Sequence, residues 1–278
     1  MSDSRAPRAT DLPWRTLLIM HLVALLALGI LIAGQIRPVA MHDLQLSEGE
    51  RLKCVSYAPF RRPGQTPFAP NLKISREQIA DDLAALSRIS ECVRLYSIDQ
   101  GLDQVPALAR EAGLKVLLGA WIGSDRTRSA IELDRAIGLA NEHADVVRAL
   151  IVGNEVLLRR ERTESELREL IEYAQARTTV PVTYADVWEF WLKHPSLSGA
   201  VDWVTVHILP FWEDDPVSID AAVGHVANVF EEVRSHFDKP VMIGETGWPS
   251  EGRQREASLP SRVNQARYIR EFVHRAHD

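Results

Sequence analysis

Two stretches of the chain each place a glutamate directly after an apolar run. Residues 149–156 read Ala-Leu-Ile-Val-Gly-Asn-Glu-Val, and residues 241–250 read Val-Met-Ile-Gly-Glu-Thr-Gly-Trp-Pro-Ser. Apolar runs without alternation are typical of strands buried on both faces, so we expect Glu155 and Glu245 where two strands end. Carboxyl groups that meet on one rim of a parallel barrel can serve as an acid and a nucleophile. A single glutamate is more often a solvated loop charge, but that explanation is poorer for a matched pair.

Composition excludes several other classes of function. The 278 residues are 46% hydrophobic and 25% charged, which fits one large α/β domain. The net charge of -6 and the absence of any Lys/Arg block argue against a nucleic-acid partner. The sequence has no paired-histidine or Cys-x-x-Cys spacing that would indicate a metal site. A metal-dependent hydrolase that uses His207, Asp186 and the two glutamates as ligands is the rival hypothesis. We therefore expect neither a metal nor a cofactor.

The two cysteines, Cys54 and Cys92, are too few for a disulfide scaffold. Each begins a predicted strand. We expect each to be a small buried hydrophobic side chain, with a bridge between them as the alternative.

Near the N-terminus, Thr16–Ile36 is a run of 21 residues without a formal charge, and about 20 such residues cross a bilayer. The run is longer than the core of a signal peptide and lacks a good cleavage site after it, so we expect an uncleaved anchor. Arg5, Arg8 and Arg15 before it, against Arg37 after it, put the N-terminus in the cytoplasm. The prediction is a single-pass inner-membrane protein with its main domain in the periplasm. The expected layout is a tail (1–15), an anchor (16–36), a linker (37–52) and a catalytic domain (53–278).

After the linker, apolar strand-like runs alternate with helical patterns, which indicates βα units around a parallel sheet. Ser75 and Thr163 open capping boxes of two helices. Seven strands are predicted to begin near Lys53, Cys92, Lys115, Val147, Pro181, Asp202 and Pro240. Four further helices are predicted at Val105–Glu111, Ala130–Ala144, Ser218–Phe237 and Pro260–His277.

This spacing fits a (β/α)₈ TIM barrel, which typically needs about 250 residues. The sequence stops at Asp278, one helix after the seventh predicted strand. We therefore expect a barrel truncated before its eighth strand, or one that another segment closes, because an open barrel leaves two sheet edges unpaired.

Three motifs carry a family resemblance: Val93-Arg94-Leu95-Tyr96-Ser97, Val152-Gly153-Asn154-Glu155-Val156 and Gly244-Glu245-Thr246-Gly247-Trp248-Pro249-Ser250. On the basis of these motifs, the region from Lys53 to the end resembles the bacterial branch of glycoside hydrolase family 17, which belongs to the retaining (β/α)₈ clan. The resemblance implies action on β-1,3-glucan polysaccharides or oligosaccharides. The bond would be hydrolysed or the glucanosyl unit transferred to another sugar, with retention at the anomeric carbon.

The resemblance also implies roles for individual residues. Glu155 matches the acid/base position and Glu245 the nucleophile, and two carboxyls about 5 to 5.5 Å apart give retention. Asn154 would contact the sugar 2-hydroxyl, or else is a turn residue. Arg94 is a charge within an apolar run and should be paired, either with the nucleophile Glu245 or in a structural ion pair across the barrel.

Aromatic residues at predicted strand ends suit a glucan cleft, because their faces stack on pyranose rings. Trp121 and Trp248 are the expected sugar platforms, although a single aromatic is more often a core residue. The tyrosines expected to donate hydrogen bonds to sugar hydroxyls or to a glutamate are Tyr57, Tyr96 and Tyr184.

The sixth predicted strand departs from the plant members of the family, which have a tyrosine where this chain has Leu209. We expect His207 to supply that contact to the nucleophile instead. The departure leaves hydrolysis and transfer both open. A different class of function, an inactive glucan-binding or sensing module at the membrane, is the alternative.

Overall fold

The computed structural model describes residues 13–35, 39–44, 46–69 and 71–277. Helix α1 (Trp14–Gln35) is the main element of the first of two units. Its span Trp14–Gly34 has a mean hydropathy of 2.6 and is, by length and composition, able to cross a membrane. Residues 1–12 of the predicted tail, together with Arg37, lie outside the described residues, so the predicted orientation stays a prediction.

The second unit begins at His42 and alternates strands with helices. Its strands are β1 (Val55–Ser56), β2 (Cys92–Arg94), β3 (Lys115–Ala120), β4 (Val147–Asn154), β5 (Val182–Val187), β6 (Val204–His207) and β7 (Val241–Glu245). Its helices are α2 (Arg76–Leu86), α3 (Val105–Ala112), α4 (Arg126–Glu142), α5 (Glu164–Gln175), α6 (Trp188–Lys193), α7 (Ile219–His236) and α8 (Arg262–His277).

All seven strands are parallel and pair in chain order from β1 to β7. The predicted TIM-like fold is confirmed as a nearly closed barrel of seven parallel strands. Within the described part of the chain, β1 and β7 are its edges and no eighth strand joins them. The central strands are therefore more buried than the edge strands: seven of the eight residues of β4 are buried, whereas every residue of β7 remains partly exposed.

Local signals set the helix ends. The side chain of Ser75 accepts the backbone N–H of Gln78 at the start of α2, and Thr163 forms a full capping box with Glu166 at the start of α5. Gly113 ends α3 with a φ of 71°, which is left-handed backbone that glycine adopts at little cost. Helix α6, only six residues long, was not predicted.

The expectation for the cysteines is corrected, because Cys54 and Cys92 form a disulfide. The reason is register: β1 and β2 are adjacent and parallel, and Val55 pairs with Val93. The two preceding residues, which are the cysteines, therefore face each other across the edge of the sheet.

Candidate active site

Glu155 and Glu245 lie on the same rim of the barrel and meet at one imidazole. Glu155 directly follows β4 and Glu245 is the last residue of β7, and the strands are all parallel. His207, the fully buried last residue of β6, has Nδ1 2.8 Å from Oε1 of Glu155 and Nε2 3.4 Å from Oε1 of Glu245. The fold thus brings together two glutamates that are 90 residues apart in sequence.

The backbone around Glu155 is unusual. Gly153 has a φ of +86°, and a Cβ there would lie 2.5 Å from Cγ2 of Val156. Glu155 itself has a φ of +54°, which costs a residue with a side chain on the order of 1 kcal/mol. Its backbone N–H donates to the carbonyl of Ala185 on β5. Such conformations persist only where surrounding contacts hold them, and they cluster at functional sites.

Gly244 has a similar role beside the second glutamate. A Cβ at this position would lie 2.5 Å from Cγ2 of Thr205 and 3.3 Å from Cδ2 of His207. The glycine therefore allows β7 to approach β6 closely enough for Glu245 and His207 to meet.

Arg94 connects the two sides of the site. Its side chain is 2% exposed, and Nη1 donates to Oε1 of Glu245 while Nη2 donates to Oδ1 of Asn154 at 2.6 Å. Its guanidinium carbon also lies 4.5 Å from the centre of the Tyr96 ring. A buried cation needs such a partner, and the pairing orients both Glu245 and Asn154.

Charges around Glu155 favour its ionised form. Burial raises the pKa of its carboxyl, but the hydrogen bond from His207 and the nearby positive charges of His207, Arg159 and Arg94 together lower it below the ordinary value. An acid catalyst needs a raised pKa, so the direction is opposite to the one expected for a general acid.

Tyr96 lies beside the nucleophile position. Burial, followed by the negative charge of Glu245, raises the pKa of Tyr96 to about 12, although Arg94 acts in the opposite direction. The phenol therefore keeps its proton at neutral pH and remains a hydrogen-bond donor.

Trp121 follows β3, and its ring is covered on one face by a cation. The guanidinium carbon of Arg159 lies 4.2 Å from the ring centre. Arg159 is fixed in turn by the carbonyls of Asn154 and Ile122 and by the carboxylate of Glu161. At most one face of Trp121 is open to a sugar.

The remaining aromatic candidates are buried. Trp248 is 2% exposed, donates Nε1–H to the carbonyl of Leu259 and packs between Phe211 and Tyr268. Tyr184 is 1% exposed and Tyr57 is 6% exposed, and their hydroxyls donate to Asp186 and Asp82 respectively. Because these three side chains are buried, the structure does not favour direct contacts between them and a sugar. Their role in substrate binding stays a prediction. Sequence shows that an aromatic ends a strand, but not which way its side chain points.

Sequence reasoning missed two groups beside the site. Arg159, four residues after Glu155, was not considered at all. Asp186, the penultimate residue of β5, is fully buried and was considered only as a metal partner. A carboxylate after the apolar run of β5 repeats the pattern of Glu155 and was the available signal. Among the described residues, no cluster of three or more His, Cys, Asp or Glu side chains is arranged to hold a metal.

Comparisons with known proteins identify a glycoside hydrolase domain. Residues 54–278 match the BtgE/BtgC glycoside hydrolase domain. The probable beta-glucosidase btgE of Aspergillus flavus is 29% identical over 232 residues, which are 79% of this chain and 36% of the relative. The glucan endo-1,3-beta-glucosidase btgC of Emericella nidulans is 26% identical over 207 residues, 68% and 31% of the two chains. The chain therefore spans about a third of the length of these curated relatives.

A solved structure supports the fold. An active-site mutant of the Rhizomucor miehei beta-1,3-glucanosyltransferase, in complex with laminaritriose, superposes with a TM-score of 0.69 at 24% identity. The match covers 81% of this chain and 82% of that one. The resemblance to glycoside hydrolase family 17 is confirmed, and the chain belongs to the BtgE/BtgC glycoside hydrolase family.

Proposed function

We propose that the chain is a retaining glycosidase acting on β-1,3-glucan, with Glu245 as nucleophile and Glu155 as general acid/base. The observation that carries the proposal is the shared imidazole: both carboxylates contact His207, one at each ring nitrogen. The names of the curated relatives and of the laminaritriose complex support β-1,3-glucan as the substrate.

The reaction takes two steps. A carboxylate oxygen of Glu245 attacks the anomeric carbon, the glycosidic C–O bond breaks, and the proton of Glu155 goes to the departing oxygen. Water or a sugar hydroxyl then attacks the same carbon from the other side. It gives its proton to Glu155, and the ester bond to Glu245 breaks.

Each neighbouring group has a task in these steps. Arg94 orients the carboxylate of Glu245, because its Nη1 donates to Oε1 of that side chain. Asn154, held by the same guanidinium, would contact the sugar 2-hydroxyl. Tyr96 supplies a protonated donor next to the nucleophile. His207 hydrogen-bonds Glu155 through Nδ1, and its Nε2 faces Oε1 of Glu245 at 3.4 Å.

Hydrolysis and glucanosyl transfer share the first step and differ only in the acceptor of the second. A non-catalytic glucan-binding module is the second candidate, and one observation favours it: the pKa of Glu155 is lowered, so less of its carboxyl carries the proton that a general acid must donate at neutral pH.

We also propose that α1 anchors the chain in a membrane, with residues 1–15 cytoplasmic and the domain 53–278 on the opposite, periplasmic side. The length and hydropathy of α1 support an anchor, although a signal sequence has the same properties. The disulfide supports an oxidising compartment, because disulfides persist mainly outside the cytosol.

The test is incubation of the purified full chain with laminari-oligosaccharides, followed by mass analysis of the products and NMR of the anomeric configuration. Shorter products with a newly formed β-anomer indicate retaining hydrolysis, and longer products indicate transfer. Glu245→Gln and Glu155→Gln should each abolish turnover, whereas Glu231→Gln on the exposed face of α7 should not. Binding without turnover by the unaltered chain would favour the binding module.

A further inference from the structure

A second carboxylate, Asp186, is buried directly beneath the loop that carries Glu155. Its side chain is 0% exposed, and Oδ1 accepts the backbone N–H of Val187 at 2.8 Å. Its other oxygen, Oδ2, accepts the hydroxyl of Tyr184. Burial raises the pKa of the Asp186 carboxyl, and the hydrogen bonds from Tyr184 and Val187, together with the nearby charge of His207, act in the opposite direction.

The same oxygen of Asp186 also binds the turn that follows Glu155. The backbone N–H groups of Leu157 and Leu158 lie 3.3 Å and 3.4 Å from Oδ2. The N–H of Leu157 additionally lies 3.1 Å from the Tyr184 hydroxyl, which both donates to Asp186 and accepts from the turn. Successive N–H groups that converge on one anion form a concavity that fixes the local backbone.

This contact matters because Glu155 has a left-handed φ of +54° that its own side chain disfavours. On its N-terminal side the residue is held by the hydrogen bond from its own N–H to Ala185. On its C-terminal side the turn is held by Asp186 and Tyr184. Both anchors are on β5, so the strand next to β4 fixes the backbone of Glu155, while His207 on β6 contacts its carboxyl.

We propose that Asp186, braced by the Tyr184 hydroxyl, is a positioning residue that holds Glu155 in the orientation required to protonate the leaving group. This rests on the proposed function and extends it to two buried residues of β5. Asp186 acts on Glu155, because it binds the backbone of the Glu155 loop and its charge interacts with that carboxyl, so its loss should impair proton donation specifically and leave nucleophilic attack by Glu245 in place.

Two substrates separate these effects. A laminari-oligosaccharide has a sugar leaving group that needs a proton, whereas 2,4-dinitrophenyl β-laminaribioside has a leaving group that departs without one. The variants are Asp186→Ala, Tyr184→Phe and Asp186→Asn, made in the full chain. The readout is kcat/KM, which reports the first step, with thermal unfolding measured for each variant.

We expect Asp186→Ala to lower kcat/KM on the oligosaccharide by about 100-fold or more, while the dinitrophenyl substrate changes by less than about 10-fold, since general acid catalysis contributes factors of that size. Tyr184→Phe should also lower kcat/KM on the oligosaccharide more than kcat/KM on the dinitrophenyl substrate, but by a smaller factor than Asp186→Ala. Asp186→Asn keeps the shape and one acceptor oxygen and should recover part of the loss.

Asp202 gives a matched control, because its carboxylate accepts the backbone N–H of Val182 at the opposite end of β5. Asp202→Asn should leave the ratio of the kcat/KM values on the two substrates unchanged. Equal losses on both substrates in Asp186→Ala and Tyr184→Phe, or no loss in either, would overturn the positioning role. If Asp186→Ala does not fold, Tyr184→Phe decides. If the unaltered chain cleaves neither substrate, the proposed function itself is wrong.

Discussion

Arg94, which is buried, and Glu245, which is partly exposed, form an ion pair between the second and seventh strands of the barrel, at the rim where the catalytic step is proposed. The two residues are 151 positions apart in the chain. One guanidinium therefore links the nucleophile position to Asn154 and, through it, to the strand that precedes Glu155.

Replacing Arg94 should separate charge from geometry. Arg94→Met removes both the counterion of Glu245 and the partner of Asn154, so kcat/KM on laminari-oligosaccharides should fall by about 100-fold or more, as expected when oriented electrostatic stabilisation is lost. The free energy of unfolding should fall by about 2 kcal/mol, because Glu245 and Asn154 each lose a hydrogen bond from a charged donor.

Arg94→Lys keeps the charge but not the two-pronged geometry, so its activity should fall between those of Arg94→Met and the unaltered chain. Arg234→Met on the exposed face of α7 is the control for loss of a surface arginine. Unchanged activity in Arg94→Met would show that the ion pair is only structural.

The lowered pKa of Glu155 predicts how activity depends on pH. The first step needs protonated Glu155, so a lowered pKa confines activity to the acidic side, and kcat/KM falls as pH rises through that pKa. Arg159→Met removes one of the positive charges that lower it. The pKa of Glu155 should then rise, and the basic limb of the kcat/KM profile should move to higher pH.

Arg159→Lys preserves the charge and should leave that limb near its original position, even if the altered packing on Trp121 lowers the overall rate. Profiles measured across acidic and neutral pH check both variants. A basic limb that moves equally in the two, or in neither, would contradict the assignment of Glu155 as the group that titrates.

Gly244 provides a test of the close approach of β6 and β7. Gly244→Ala puts a Cβ 2.5 Å from Thr205, and the shift needed to relieve that contact should cost about 1 to 3 kcal/mol and displace Glu245 from His207. Activity should fall by more than the loss of folded protein explains.

Gly224 on α7 is the matched control, since a Cβ there meets nothing within 4 Å. Gly224→Ala should stabilise the chain by about 0.5 to 1 kcal/mol, because alanine is the better helix former, and should not alter activity. Urea unfolding and kcat/KM on both variants give the comparison. A fully active Gly244→Ala variant would mean that the spacing of β6 and β7 is not critical.

The disulfide should stabilise the edge of the open barrel. It closes a loop of 38 residues and ties the two-residue edge strand β1 to β2, so reduction should lower the free energy of unfolding by about 4 kcal/mol. Urea unfolding with and without a reductant measures the difference. The double variant Cys54→Ser, Cys92→Ser should have the same free energy of unfolding as the reduced protein, and a reductant should not change it. If a reductant still destabilises the double variant, the effect does not come from this disulfide.

Much of the fold was readable from local sequence because its causes are local. An apolar run followed closely by a glutamate predicts a strand that ends at a carboxylate, and this holds at both Glu155 and Glu245. The expected burial on both faces holds for β4 but not for β7, which lies at the edge of the sheet and is only partly buried. The caps at Ser75 and Thr163 mark where helices begin, because a side-chain oxygen within one turn satisfies the free backbone N–H groups. The order and direction of the strands then follow from their alternation with helices.

The tertiary structure decided what depends on residues far apart in the chain. Register across β1 and β2 put Cys54 opposite Cys92, and packing turned Trp248 into the interior. The imidazole of His207 between two glutamates, and Asp186 beneath the turn after Glu155, require the four strands β4 to β7 to lie at fixed spacing. Sequence periodicity gives the side of a strand on which a residue lies, but the partner it meets is set by how the strands pack.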